Sequence, residues 1–281
     1  MIGIQFMFGD VIYVASNTLS DIEIKRYSRQ IILPNFSITN QKKLKAAKIL
    51  VTGAGGIGTP ALCYLAATGV GNITIIDSDN IEYSNLHRQF LFNESDVGKS
   101  KCKTIAGRLR AFNPNIDITP IETRITYGNA FDLLRGYDAI LDGTDNFPAR
   151  YAVNDAAVQN NIPLFHAAAL QYEGRAFTIL PQKSACLRCI FPEPPPPQDR
   201  LSCREAGVLS PAIGIAASIA AAEAAKYLAG LPVALTNKLV VFDSRTFDFR
   251  TLEISRDENC TACGKKFIPK PVPETENCHI G

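Results

Sequence analysis

The chain has 281 residues, with 29 Lys and Arg against 27 Asp and Glu, a formal net charge of +2 and 46% hydrophobic residues. That is an ordinary globular composition, long enough for a sizeable core. The near balance of charge argues against a dedicated nucleic-acid binder, which would carry a basic stripe.

Residues 1–20 read as an N-terminal extension with room for a short strand. Their apolar start lacks the basic residue of a secretory leader, and Asp10 interrupts it. Short apolar runs at 48–52, 72–77, 116–121, 137–142 and 162–167 then alternate with helical patterns at 56–68, 98–111, 128–135 and 148–160. This βαβ rhythm predicts an α/β fold, a Rossmann-like, mostly parallel sheet with helices on both faces. After residue 168 the rhythm changes. Segments 171–180 and 238–254 read as strands of an antiparallel C-terminal extension, separated by a long helix from Pro211. Ser210 reads as the cap of that helix. The helix is the most apolar stretch, but it is mainly Ala and contains Glu223 and Lys226, so a buried helix is expected and not a membrane span. The proline-rich stretch 191–200 reads as an extended, solvated loop. One unit is expected over 21–265, with halves at about 45–168 and 169–265, followed by a flexible tail at 266–281. A cytoplasmic location fits these features.

Eight cysteines lie at 63, 102, 186, 189, 203, 260, 263 and 278. Cys186 and Cys189 form one C-x-x-C pair, and Cys260 and Cys263 form another. Two such pairs complete a tetrahedral thiolate shell, which predicts a closed structural zinc site. Gly264 permits the tight turn after the second pair. Iron in the same shell, four reduced thiols or a single redox pair remain alternatives. Cys63 and Cys102 read as helical, and Cys278 lies in the polar tail.

Gly53, Gly55 and Gly58 have the G-x-G-x-x-G spacing between a strand and a helix, with Gly56 inside the loop. Small residues let the backbone approach phosphate at a helix N-terminus. Asp77 ends the second strand, where a carboxylate can accept hydrogen bonds from ribose hydroxyls. This pattern alone does not separate ATP from a dinucleotide, so a nicotinamide-dependent dehydrogenase is the first alternative. The next segment favours ATP. Asp79, the run Ser84-Asn85-Leu86-His87-Arg88-Gln89 and Lys101 place polar and cationic groups soon after that strand, as a triphosphate requires. Asp145, within Thr144-Asp145-Asn146 after the fourth strand, is placed to hold Mg²⁺.

Taken together, the glycine loop, Asp77, the 84–89 run, Lys101, the 144–146 triplet and the paired C-x-x-C resemble the ThiF/MoeB/HesA family, bacterial relatives of ubiquitin-activating enzymes. The resemblance spans about 21–265. It implies ATP-dependent adenylation of the C-terminal Gly carboxylate of a small ubiquitin-fold sulfur carrier ending in Gly-Gly. Gly56 would face the phosphates, Asp77 the ribose, and Asn85, Arg88 and Gln89 the triphosphate. Lys101 would neutralise charge at the α-phosphate, Asp145 would bind Mg²⁺ and Asn146 would lie beside the nucleotide. The Arg26-Tyr27-Ser28-Arg29-Gln30 element resembles one whose second arginine, Arg29, reaches the partner subunit's ATP site, which implies a homodimer. Cys203 matches a crossover-loop cysteine that forms a thioester or acyl disulfide in some members and is dispensable in others. A spectator thiol is the alternative. The implied layout is a nucleotide-binding half followed by a carrier-binding and zinc half, with a separate sulfur donor such as a cysteine desulfurase or rhodanese. The resemblance leaves two competing readings: modification of a short peptide's C-terminus by a phosphoramidate-forming relative, and a non-catalytic scaffold for a ubiquitin-like partner. No nucleic-acid or membrane partner is expected.

Overall fold

Residues 48–52, Lys-Ile-Leu-Val-Thr, are apolar at every position but the ends. Ile49 and Val51 point into one apolar cluster and Leu50 into another. Side chains alternate along a strand, so a run with no polar face needs cover on both sides. The computed structural model, which describes residues 18–196 and 206–273, supplies that cover. Residues 1–17, the loop cysteine Cys203 and Cys278 lie outside the described residues.

Among the described residues, eight strands form one sheet in the order β3-β2-β1-β4-β5-β6-β7-β8. Strands β1 (Lys48–Thr52), β2 (Asn72–Ile76), β3 (Asp117–Ile121), β4 (Ala139–Asp142) and β5 (Leu164–Leu170) are parallel. Strands β6 (Glu173–Ile179), β7 (Lys238–Asp243) and β8 (Asp248–Glu253) continue the sheet antiparallel. The expected mixed α/β sheet, parallel first and antiparallel at its C-terminal end, is therefore present.

Three short helices precede the sheet: α1 (Asp21–Arg26), α2 (Ser28–Ile31) and α3 (Ile38–Ala46). The sequence reading did not foresee them. Helix α1 starts with a reciprocal cap between Ser20 and Glu23. Helices α4 (Gly58–Thr68), α5 (Lys101–Phe112) and α9 (Ser210–Ala229) contribute buried residues to the Ile49 and Val51 cluster. Helices α6 (Tyr127–Leu133), α7 (Phe147–Gln159) and α8 (Leu187–Ile190) contribute to the other.

Helix α9 packs as a core element, with Ala212, Ala216, Ala217, Ala220 and Ala224 buried. It is long and apolar enough by composition to cross a membrane, but its buried Glu223 accepts hydrogen bonds from the Ala234 and Leu235 N–H groups and from Thr178. One expectation is corrected. Ser210 is the first residue of α9 and not its cap; Leu209 holds the cap position and offers no side-chain acceptor. Pro211 keeps its place in the first turn, where its missing N–H costs nothing.

Candidate functional site

The chain leaves β1 toward β2 on one side, while β4 lies on the other. Parallel sheets bind ligands at such a reversal of strand order, outside the carboxyl ends of the strands. The glycine loop sits there. Gly53 has φ +88°, and a Cβ on it would come within 2.7 Å of the Gly143 carbonyl oxygen. A Cβ on Gly58 would lie 1.9 Å from the Gly53 carbonyl oxygen. These two glycines are required by the fold, one by backbone conformation and the other by close packing. Gly55 differs. Its Cβ would meet nothing nearer than Gln89 Nε2, at 3.7 Å. A Cβ on Gly56 would approach Ile213 at 3.1 Å and Arg88 Cδ at 3.6 Å. The 84–89 run therefore folds over the glycine loop.

Asp77 reaches back to this loop. Its Oδ2 accepts from the Ala54 N–H at 2.6 Å and its Oδ1 from the Asp79 N–H at 2.7 Å. Burial pushes its carboxyl above the usual range, against the pull of the Lys101 charge and these N–H groups. Lys101 opens α5, and its buried ammonium donates to Asp79 at 2.8 Å.

The 84–89 run divides by role. Asn85 is buried and its Oδ1 accepts from the Glu82 N–H. Leu86 packs against the core. Ser84 is exposed and its carbonyl accepts from Arg88 Nη1. Arg88 Nη1 also meets His87 Nε2 at 2.9 Å, and partial burial together with the Arg88 charge lowers the His87 pKa. Gln89 is buried, and its Oε1 has no hydrogen-bond partner among the described residues. The Gln89 atom nearest a Gly55 Cβ is Nε2, an amide donor, which suits a loop that faces an acceptor-rich phosphate.

At the end of β4, Asp142 accepts from the Thr144 N–H at 2.9 Å and the Thr144 hydroxyl at 2.6 Å. Asp145 is exposed, with the Asn146 amide 3.4 Å away. Asn146 is the N-cap of α7, its Oδ1 accepting from the Ala149 N–H at 2.9 Å. The sequence reading missed Gly143, whose close approach to Gly53 closes the crevice floor, and missed His166. His166 is the register partner of Asp142 on β5, with Nδ1 2.8 Å from its carboxylate. Burial pulls the His166 imidazole down to about 4, against the pull of Asp142. Burial is the largest influence on Asp142 and opposes its ionisation, but the bond from His166, the Arg150 charge and the Thr144 hydroxyl together outweigh it and keep the carboxyl below its ordinary value.

Arg29 lies apart from this crevice on its own chain. Its neighbours anchor the segment: Arg26 donates to the Phe112 carbonyl, Tyr27 accepts from Asn113 Nδ2, and Gln30 donates to Gln41. Arg29 stays exposed, with no hydrogen bond or ion pair among the described residues.

Cys186, Cys189, Cys260 and Cys263 converge, with all four sulfurs within 4.8 Å of one another. Neighbouring Sγ–Sγ separations are 3.3, 3.6 and 3.9 Å. A tetrahedron with metal–sulfur bonds of about 2.3 Å has edges of about 3.8 Å, so the donor set fits a tetrahedral metal. A Cβ on Gly264 would lie 2.4 Å from the Cys260 carbonyl oxygen, which explains the glycine after the second pair. The start of the expected tail lies beside the cluster, where the Lys270 carbonyl accepts from Arg188 and Phe267 packs on Phe131.

Several known proteins are similar over most of this length. The sulfur carrier protein adenylyltransferase of Thermus thermophilus is 42% identical over 90% of this chain and 96% of its own. The SAMP-activating enzyme E1 of Haloferax volcanii is 36% identical over 94% and 98%. The adenylyltransferase and sulfurtransferase MOCS3 of Culex quinquefasciatus is 41% identical, and the chain spans about half of its length, 56%. Among solved structures, Escherichia coli MccB bound to MccA-N7isoASN superposes with a TM-score of 0.78 at 27% identity, over 85% of this chain and 75% of that one. The ThiF family profile matches residues 27–262, and on that match, with the glycine loop, the buried lysine and the cysteine cluster in place, the chain belongs to the ThiF family.

Proposed function

We propose that the protein is an adenylyltransferase that activates the C-terminal Gly carboxylate of a small ubiquitin-fold sulfur carrier. The observation that carries this reading is the similarity, over 90% of this chain and 96% of the relative, to the Thermus thermophilus sulfur carrier protein adenylyltransferase. The glycine loop, Asp77 and buried Lys101 around one crevice support it.

In this reading the Gly56 N–H faces the phosphates and Asp77 keeps lone pairs for the ribose. Arg88, Asn85 and Gln89 hold the triphosphate, and Arg29 completes the site of the other subunit of a homodimer. A carrier carboxylate oxygen attacks the α-phosphorus. The new O–P bond forms as the bond to the β-phosphate breaks, and pyrophosphate leaves. The carboxylate is already ionised at neutral pH, so no protein base is needed. Lys101 offsets the charge that builds on the α-phosphate. Asp145, with Asn146 beside it, is the residue to hold Mg²⁺, which would supply charge neutralisation between the phosphates. The four cysteines would hold zinc as a structural metal. Cys203 lies outside the described residues, and its later covalent linkage to the carrier is part of the same proposal. A separate cysteine desulfurase or rhodanese would donate sulfur. Thiols free of disulfides among the described residues agree with a cytoplasmic setting.

ATP–pyrophosphate exchange with Gly-Gly-ending carriers tests the reading, and exchange that depends on one carrier is the expected result. The likeness to MccB favours a second reading, in which the acceptor is a short peptide. Exchange with a peptide and with no carrier would select it.

A further inference from the structure

A cavity of about 250 Å³ lies between α7, α8 and the facing ends of β5 and β6. Phe147, Tyr151, Leu187 and Phe191 give it apolar walls, and Arg150 and Arg175 line it with guanidiniums. Both side chains are held in place. Arg150 is 8% exposed; it donates from Nη2 to the Thr144 carbonyl at 2.8 Å and lies 5.6 Å from the Phe147 ring centre. Arg175 lies 4.9 Å from the Phe191 ring centre. Neither Nε has an acceptor, and neither arginine has an ion-pair partner among the described residues.

The surrounding charges do not balance. Asp142 is the buried carboxylate that Arg150 feels, and it is already bonded to Thr144 and His166. His166, drawn down to about 4, is neutral at physiological pH. Tyr151, pushed up to about 12 by burial, is neutral too. Asp155 is matched by Arg188 at 2.8 Å. Burial and the like charge of Arg150 pull Arg175 down to about 10, which still leaves it protonated. Among the described residues one positive charge remains unmatched around buried and half-buried groups, an arrangement that a bound anion relieves.

We propose that this cavity binds a carboxylate, whose oxygens meet the Arg150 and Arg175 guanidiniums and whose carbon side meets the aromatic walls. A monoanion balances the charge, and planar guanidiniums match a carboxylate. A phosphate would overshoot that balance and press an oxygen against apolar walls. The carboxylate arrives either on a free small acid or as an acidic side chain of the polypeptide substrate. The site rests on the cavity alone and does not require the adenylation reading.

Benzoate is titrated into the full-length protein, with benzamide as the uncharged control, and followed by calorimetry and by arginine Nε–H resonances. The expected result is saturable benzoate binding that shifts two Nε–H signals, with no benzamide binding. Affinity should fall about tenfold or more in Arg175→Gln and recover in part in Arg175→Lys. Arg175→Gln should also keep the wild-type Tm without benzoate, because it removes an unmatched charge. No saturable binding to the wild type, or equal affinity in Arg175→Gln, overturns the proposal. Calorimetry needs no ATP, so failed adenylation leaves this result intact. Once binding is established, exchange assays assign the source. Benzoate raising the KM for the polypeptide at unchanged kcat marks an acidic side chain, and an unaltered KM marks a free acid.

Discussion

The Lys101 ammonium is buried while the Asp79 carboxylate it meets at 2.8 Å is 60% exposed. A cation hidden behind a solvated anion is a charge held ready, because an incoming phosphate can take over from Asp79 without uncovering the lysine. Lys101→Ala should lower pyrophosphate exchange by about 100-fold or more. Asp79→Asn should cost far less, since it removes only the resting partner. Equal losses in the two variants would contradict this division of roles.

The glycines of the loop should separate by phenotype. In Gly58→Ala the new methyl has no room against the Gly53 carbonyl, and a destabilisation of about 3 kcal/mol or more is expected. In Gly55→Ala the methyl has space in the protein, so urea unfolding should match wild type while ATP affinity falls. Weak ATP binding with an intact fold in Gly55→Ala, measured by calorimetry, is the discriminating result.

Acid should weaken the β4–β5 contact. The unfolded chain protonates His166 near 6.5, whereas the folded protein resists until about 4. The unfolded state therefore binds more protons in between, and this contribution, present above 6.5, is lost as pH falls toward 4. It amounts to about 3 kcal/mol. Asp142, lowered in the folded state, adds loss in the same direction below its ordinary carboxylate value. Urea midpoints measured from pH 7 to 4 should fall steeply in wild type and less so in His166→Gln.

Metal removal should destabilise the fold without touching the crevice. Cys260→Ser should cost about 3 kcal/mol or more, lowering Tm by roughly 6–12 °C. Elemental analysis should find close to one metal per chain in wild type and little in the variant. Metal release on acidification should track thiolate protonation.

Arg29→Ala should leave Tm unchanged, as expected for an exposed residue with no side-chain partner among the described residues. Exchange activity should nevertheless fall. Mixing this variant with Lys101→Ala should restore about a quarter of wild-type activity, because half the dimers then carry one intact site. A mixture as inactive as its parts would place Arg29 outside the partner's site.

The parallel strands were legible because burial on both faces makes them continuous apolar runs. Leu50 and Val51 serve opposite clusters from adjacent positions. Helices α1 to α3 were not legible. Their segment is polar, and tertiary bonds such as Asn113 Nδ2 to Tyr27 and Gln41 Nε2 to the Thr68 carbonyl hold it. Glycine spacing, Asp77 and Lys101 were readable as a crevice because they follow strand ends in order. Asp142 and His166 were not, since only the β4–β5 register makes neighbours of residues 24 apart. Arg175 was missed for a similar reason: its environment comes from α7 and α8, which the local sequence of β6 does not reveal.

The cysteine cluster ties residues 186–189 to 260–263, and everything from α9 to β8 lies between those two points. Among the described residues strand β8 ends the sheet, and all six of its residues are exposed. An unpaired strand edge is a template for pairing with other chains. Drawing those two points together is expected to limit how far the outer hairpin can peel away. If the cluster holds a metal, its removal should show first as insoluble protein, while molecules still folded keep their nucleotide crevice whole.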